Sequence, residues 1–126
     1  MRRLTKEQVV QMQARIVERY GGHSGIRDEG LFDSALNAPF QTFGEEELFP
    51  TLIDKAARLG YGLVKNHPFL DGNKRIGALA FLVFLEINSI KLKTNSRELT
   101  ELIIQTAAGE KDEDAFREWV SSRITL

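Results

Sequence analysis

The sequence predicts an all-α fold, a compact bundle of about six helices around one buried central helix, with one small β-hairpin allowed. Apolar residues recur three or four positions apart through most of the chain, which is the spacing of a helix face. Ten of the twelve residues at 76–87 are apolar, and a helix that is apolar on all sides lies buried in a bundle. A buried strand is the alternative for this run, although the run is long for a strand and rich in Leu and Ala.

Capping residues mark where the helices begin. Thr5 and Gln8 match a capping box, in which the Thr5 side chain accepts from the Gln8 N–H while the Gln8 side chain reaches back. Residues of the same capping type stand before the second, third, fifth and last helices, at Asp28, Thr51, Asn95 and Asp112.

Residues that interrupt the helical spacing mark the helix ends, at Gly21, Pro39, Asn88 and Gly109. Residues 90–93 alternate and predict a short extended piece.

Gly60 and Gly62 lie inside the third helix, where each costs about 1 kcal/mol relative to Ala, and so they predict close packing against a neighbour. The last helix is expected to keep one apolar side, formed by Phe116, Trp119, Val120 and Ile124.

The loop at 40–50 carries an acidic run at 45–47 between Phe43 and Phe49. A solvated loop explains this run as well as a functional one does. The phenylalanines in the loop can mark a groove for a partner, and packing into the core explains them equally well.

Length and composition exclude several classes of protein. A chain of 126 residues predicts one domain, spanning 1–126. The absence of cysteine excludes disulfides, thiolate nucleophiles and Cys-ligated metals, and two histidines 44 positions apart exclude an HExxH zinc site. With 17 basic and 18 acidic residues the net charge is −1, which disfavours binding to nucleic-acid phosphates.

The pattern along the chain also argues against export and membrane insertion. No apolar segment follows Arg2 and Arg3, as a secretory signal would require. The longest apolar run, 76–85, is shorter than the roughly 20 residues that span a bilayer. We expect a cytoplasmic protein with neither a membrane nor nucleic acid as a direct partner.

Polar chemistry is concentrated in one nine-residue stretch, 67–75, between two apolar helices. Pro68 disfavours a helical conformation at His67, so the third helix is expected to end near Asn66. Gly72 permits unusual backbone angles just before the buried helix begins. The first N–H groups of that helix lack internal acceptors and carry the positive end of its dipole, which favours an anion there.

The side chains of this stretch suggest phosphate chemistry. Lys74 and Arg75 add positive charge where a phosphate would lie, and Asp71 can hold Mg²⁺ together with phosphate oxygens. His67 can take a proton from an incoming hydroxyl near pH 7. Phe69 most simply points into the core and fixes the loop.

Each residue also has an ordinary interpretation. A single histidine at a helix end is commonly a cap or a surface residue, and Asp-Gly-Asn is commonly a turn. Lys74 and Arg75 in a first turn are commonly solvated, and there they oppose the helix dipole. That conflict favours a functional site, because local rules tend to be broken where function requires it.

The stretch resembles the signature of the Fic/Doc (Fido) family, HxFx(D/E)GNxRxxR. The start of the chain and the segment 19–22 look most like the death-on-curing (Doc) branch. The resemblance covers essentially the whole chain and implies a Fido-like helical fold. Six residues match the signature, namely His67, Phe69, Asp71, Gly72, Asn73 and Arg75.

The resemblance implies a role for each residue. His67 is expected to be the general base, Asp71 the Mg²⁺ ligand and Phe69 a structural anchor. The loop at 40–50 is expected to be the flap that docks an extended target segment by strand pairing. The anion hole that binds the phosphates of ATP is expected to consist of Gly72, Asn73, Lys74 and Arg75. Lys74 and Arg75 are expected to be catalytic as well.

Two departures from the signature change the expected reaction. Family members that transfer AMP have Gly and Arg where this chain has Lys74 and Ala78. Doc-type members share Asn-Lys-Arg and are kinases, so we expect transfer of the γ-phosphoryl group of ATP to a threonine of elongation factor Tu, which halts translation. An AMP transferase and a catalytically silent binding module are the alternatives.

The resemblance also implies a toxin that is held in check by an antitoxin. Residues 24–30 come close to the inhibitory motif of many Fic proteins, but they contain one residue too many and lack a helical context. Inhibition is therefore expected from a separate antitoxin, through a disordered segment that folds on binding.

Overall fold

A computed structural model describes residues 1–125 and places the apolar run in α4 (Asn73–Ile87), where Ile76, Ala80 and Phe81 are fully buried. The all-α prediction with a buried central helix is confirmed. Within residues 1–125 five further α-helices stand beside α4: α1 (Lys6–Tyr20), α2 (Glu29–Asn37), α3 (Leu52–Asn66), α5 (Ser96–Ala107) and α6 (Glu113–Ser122).

The predicted caps form. The Thr5 side chain accepts from the Gln8 N–H, and the Gln8 side chain accepts from the Thr5 N–H. Thr51 and Asp54 form the same reciprocal pair at the start of α3. The remaining predicted caps each accept one N–H bond from the first turn of their helix, at Asp28, Asn95 and Asp112.

Across residues 1–125, two pairs of short antiparallel strands accompany the helices. In the loop at 40–50, which follows a 3₁₀ turn (Ala38–Phe40), β1 (Thr42–Phe43) pairs with β2 (Glu46–Glu47) as the allowed hairpin. The predicted extended piece is β3 (Lys91–Leu92), and its partner is β4 (Ile124–Thr125).

The last strand corrects the prediction for the end of α6. Ile124 was expected on the apolar side of the helix, but α6 ends at Ser122. The backbone carbonyl of Arg123 accepts from the Lys93 N–H at 2.7 Å, and Ile124 pairs with Leu92. The chain therefore leaves the helix because an edge strand offers backbone partners, which helical spacing does not reveal.

The hairpin is anchored on the first turns of α3. Lys55 is only 3% exposed, and its ammonium group pairs with Glu47 at 3.0 Å and donates to the carbonyl of Phe49. Phe43 remains 82% exposed on the hairpin. Because a helix rises about 1.5 Å per residue, this anchor lies about 16 Å along α3 from Asn66.

Helices α3 and α4 approach each other closely at two glycines. A Cβ atom built on Gly77 would lie 2.5 Å from Cγ2 of Val64, and one built on Gly60 would lie 2.9 Å from the ring of Phe81. Gly62 faces Ala35 at an ordinary 3.5 Å. Of the two glycines predicted to pack closely, Gly60 does so and Gly62 does not, and the contacts at Gly60 and Gly77 hold α3 against the buried helix.

In the described part of the chain, residues 1–125, no helix combines the length and the apolar character needed to cross a bilayer.

Replacing Gly77 with Ala tests this close approach. We expect Gly77→Ala to lower the free energy of unfolding by about 1–3 kcal/mol, since the added methyl group must displace Val64. Urea denaturation measures the change. Gly30→Ala in α2 is the control, because its added Cβ meets its nearest neighbour at 3.5 Å. An equal loss in both variants would show that the contact between Gly77 and Val64 is not the cause.

Candidate active site

The loop between α3 and α4 carries the predicted site residues to one cleft. α3 ends at Asn66 as expected, and His67 adopts a left-handed conformation with φ 52° and ψ 51°. That conformation leaves the helix, but it differs from the extended one that a following proline favours. The cleft has a volume of about 250 Å³, and its lining includes His67, Asp71, Gly72, Asn73, Lys74 and Arg75.

Phe69 and Asn73 fix the shape of the loop. The Phe69 side chain is fully buried, with its ring 4.8 Å from the ring of Phe32. The Asn73 side chain accepts from the Phe69 N–H at 2.9 Å and donates to the Phe69 carbonyl at 3.0 Å. Asn73 is 4% exposed, so its amide group serves the loop and its backbone N–H is the part that remains for an anion.

The N-terminus of α4 opens into the cleft. Gly72 precedes it with φ 79°, a left-handed conformation that suits glycine, and contributes no side-chain cap. The first-turn N–H groups of Asn73, Lys74 and Arg75 therefore keep the positive end of the dipole available. The side chains of Lys74 and Arg75 are exposed beside it, which makes this end of the helix strongly positive.

Asp71 faces the segment that follows α1. One of its carboxylate oxygens, Oδ2, accepts from the His23 N–H at 2.6 Å. The side chain lies so close to Gly22 that a Cβ there would be 2.8 Å from Cβ of Asp71. The Asp71 side chain is therefore held in place by backbone on one side while it lines the cleft on the other.

The donor set around Asp71 limits the metal it can hold. Among residues 1–125 no group of three or more His, Asp or Glu side chains forms a metal cluster. Mg²⁺ is commonly held by one or two carboxylates together with phosphate oxygens and water. Asp71 thus fits a Mg²⁺ ion that arrives with a nucleotide, and not one held by the protein alone.

Gln13 is a site residue that the sequence analysis missed. It lies in α1 at 1% exposure and donates to the carbonyls of Asp71 and His23, while its oxygen accepts from the Gly25 N–H. It connects α1 to the segment between α1 and α2 and to the loop between α3 and α4. The available signal was a polar residue in the apolar row of the first helix, between Val9 and Ile16.

Arg27 was missed as well. Its side chain donates to the carbonyls of His67 and Asn66, and its own N–H donates to the carbonyl of Pro68. Nothing in the local sequence points to this role, because the partner residues lie about 40 positions further along the chain.

The Tyr20 ring lies close to two arginines, one of which, Arg75, lines the cleft. Cζ of Arg75 lies 4.0 Å from the centre of the Tyr20 ring, and Cζ of Arg19 lies 5.6 Å from it. A cation stacked on an aromatic ring is stabilised by about 0.5–1 kcal/mol at an exposed site. Arg75 is thereby held in place while its N–H groups can still bind an anion.

A second cavity of about 300 Å³ shares Lys74 and Arg75 with the cleft. Ala78 forms part of its wall, where the family signature has an arginine. This cavity is mostly apolar because α5 contributes Leu99, Ile103 and Ile104, beside Thr100.

The sequence matches the family model described as the Fic/DOC family over residues 3–85, which include every residue of the cleft. The chain belongs to the Fic/Doc family. It is 42% identical to "Toxin Doc" of Mycolicibacterium smegmatis over 73 residues, which are 58% of this chain and 56% of that protein. It is 28% identical to "Protein kinase doc" of Escherichia phage P1 over 110 residues, 87% of this chain and 86% of that protein.

Family membership agrees with the six-residue signature and with the helical fold. The resemblance to the Doc branch is confirmed, since both of these relatives carry Doc in their names. The match to the family model stops near the end of α4, so α5 and the part of the second cavity that α5 lines fall outside the matched region.

Removing the Asn73 amide tests its hold on the loop. We expect Asn73→Ala to lower the free energy of unfolding by about 2–4 kcal/mol, because it leaves a buried N–H and a buried carbonyl of Phe69 unpaired. Urea denaturation gives the energy, and hydrogen exchange of the Phe69 amide reports the local effect. Asn66→Ala, which removes one exposed bond to Leu31, should cost less than about 1 kcal/mol. Unchanged protection of the Phe69 amide in Asn73→Ala would show that the Asn73 side chain does not hold the loop.

Proposed function

We propose that this chain is a Doc-like toxin that transfers the γ-phosphoryl group of ATP to a Ser or Thr hydroxyl of a translation protein. The observation that carries the proposal is the cleft itself, where His67 faces the cationic N-terminus of a buried helix. A base opposite an anion site is the arrangement that phosphoryl transfer requires. The names of the two relatives, one a toxin and one a protein kinase, support the same proposal.

The proposed reaction uses the side chains of the cleft in sequence. His67 accepts the proton of the target hydroxyl, and the hydroxyl oxygen forms a bond to the γ-phosphorus of ATP. The bond between that phosphorus and the β,γ-bridging oxygen breaks, and ADP leaves. Lys74, Arg75 and the first-turn N–H groups of α4 stabilise the negative charge on the phosphate oxygens.

The proposed cofactors are ATP and Mg²⁺. Asp71 is the residue that would hold Mg²⁺, as the donor set described above allows. When bound, Mg²⁺ neutralises phosphate charge. The other side chains of the cleft position the phosphates and the hydroxyl without further protein ligands to the metal.

Lys74 and Ala78 favour phosphoryl transfer over AMP transfer. Glycine at position 74 would let a phosphate lie against the backbone, and arginine at position 78 would contact a triphosphate. This chain instead has a lysine side chain at the cleft and a methyl group in an apolar wall. We infer that the nucleotide lies in the reversed sense, with its γ-phosphate next to His67.

The proposed target is elongation factor Tu, and the proposed regulator is an antitoxin with a segment that folds on binding. Residues 24–28 are not helical, so they do not supply the inhibitory helix found in many Fic proteins. An antitoxin segment would have to cover the cleft from outside. Ile104, 53% exposed in the wall of the apolar cavity next to Arg75, offers it an apolar contact.

A transfer assay tests the proposed function. Purified protein is incubated with Mg²⁺, elongation factor Tu and ATP labelled on either the α- or the γ-phosphate. Label from the γ-position alone supports the kinase, whereas label from the α-position supports the AMP transferase. Label from neither, together with wild-type toxicity in cells, would redirect the search to another target protein. No label and no toxicity would support a silent binding module.

Replacing His67 tests the base. We expect His67→Ala to lower the transfer rate by about 100- to 10,000-fold, since general-base catalysis contributes this much, and to leave the fold intact. His23→Ala is the matched control, because in the described residues the contact between His23 and Asp71 uses the backbone N–H alone. Circular dichroism checks folding. Full activity of His67→Ala would contradict the proposed base.

A further inference from the structure

The backbone of His67 is in a conformation that the chain does not favour by itself. A positive φ is uncommon for residues other than glycine, and Pro68 makes the alternative, an extended conformation, the preferred one. Pro68 also lacks the N–H group that often bonds to a carbonyl near the end of a helix. Some other donor has to satisfy the carbonyls at the end of α3 and hold His67 in place.

Arg27 supplies these donors. Its Nε donates to the carbonyl of His67 at 2.7 Å, and Nη2 donates to the carbonyl of Asn66 at 3.1 Å. Its backbone N–H donates to the carbonyl of Pro68 at 2.6 Å. One residue thus binds three consecutive carbonyls, and its positive charge stands at the end of α3 where the helix dipole favours a cation.

The neighbours of Arg27 keep it in register with the loop. Ile26 forms an antiparallel bridge with Phe69, and the Leu70 N–H donates to the carbonyl of Gly25 at 3.0 Å. Asp28 both caps α2 and donates its N–H to Pro68. The Arg27 side chain is therefore presented from a fixed backbone, although the residue itself is exposed.

We propose that Arg27 is the positioning residue for His67, which it holds in the left-handed conformation that faces the imidazole toward the cleft. It acts through the backbone carbonyls of Asn66 and His67 and does not touch the substrate. The inference rests on the proposed function for its catalytic consequence. The effect of Arg27 on the His67 backbone is independent of that function.

Three variants test the proposal. Arg27→Met removes the donors and keeps an unbranched side chain, whereas Arg27→Lys keeps the charge but replaces the planar fork with a point donor. Arg97→Met is the matched control, because the Arg97 side chain is 89% exposed and pairs only with Glu101 in its own helix among the described residues. Each is assayed with γ-labelled ATP, Mg²⁺ and elongation factor Tu.

The expected result separates positioning from binding. Arg27→Met should lower kcat at least about ten-fold, since small displacements of a catalytic group cost this much, with KM for ATP unchanged. Arg27→Lys should fall between Arg27→Met and the wild type. Unchanged kcat in Arg27→Met, or an equal change in kcat and KM for ATP, would overturn the proposal.

NMR spectroscopy supplies the readout that does not depend on activity. The HN–Hα coupling of His67 should report the left-handed conformation in the wild type and in Arg97→Met, and an extended one in Arg27→Met. If the wild type transfers no label to elongation factor Tu, the proposed target fails, and this coupling still decides the role of Arg27. A His67 coupling unchanged in Arg27→Met would refute the positioning role whatever the activity.

Discussion

The site depends on the pair of hydrogen bonds between the Asn73 side chain and the backbone of Phe69. Asn73 is the first residue of α4, and Phe69 is buried against α2, so this pair ties the start of the central helix to the core of the loop. The two hydrogen bonds close the segment 69–73 into a fixed turn. Because it is closed, His67 on one side and the N-terminus of α4 on the other face the same cleft.

A second layer of contacts supports the loop from outside. Gln13 and the His23 N–H hold Asp71, Arg27 holds the carbonyls of Asn66 and His67, and Tyr20 stacks on Arg75. All of these residues come from α1 or from the segment between α1 and α2. The first 28 residues therefore position the site, while the loop between α3 and α4 and the first turn of α4 supply its reactive groups.

Much of this fold follows from the sequence because its causes are local. Capping residues such as Thr5 and Thr51 bond within their own first turn, and the mostly apolar run at 76–87 is buried most favourably at the centre. The residues of the cleft were found because they are contiguous. Sequence patterns did not reveal the roles of Gln13 and Arg27 or the strand at Ile124. Their partners are distant in sequence, and only tertiary packing brings them together.

The proposed reaction requires that the phosphates of a nucleotide bind at the N-terminus of α4 next to His67. The most direct measurement is an NMR titration of the ¹⁵N-labelled protein with ATP and Mg²⁺. We expect saturable shifts of the amide signals of Asn73, Lys74 and Arg75 together with His67, while the signals of α6 stay unchanged. Saturable shifts confined to another surface, or none at this terminus, would show that the phosphates do not bind there.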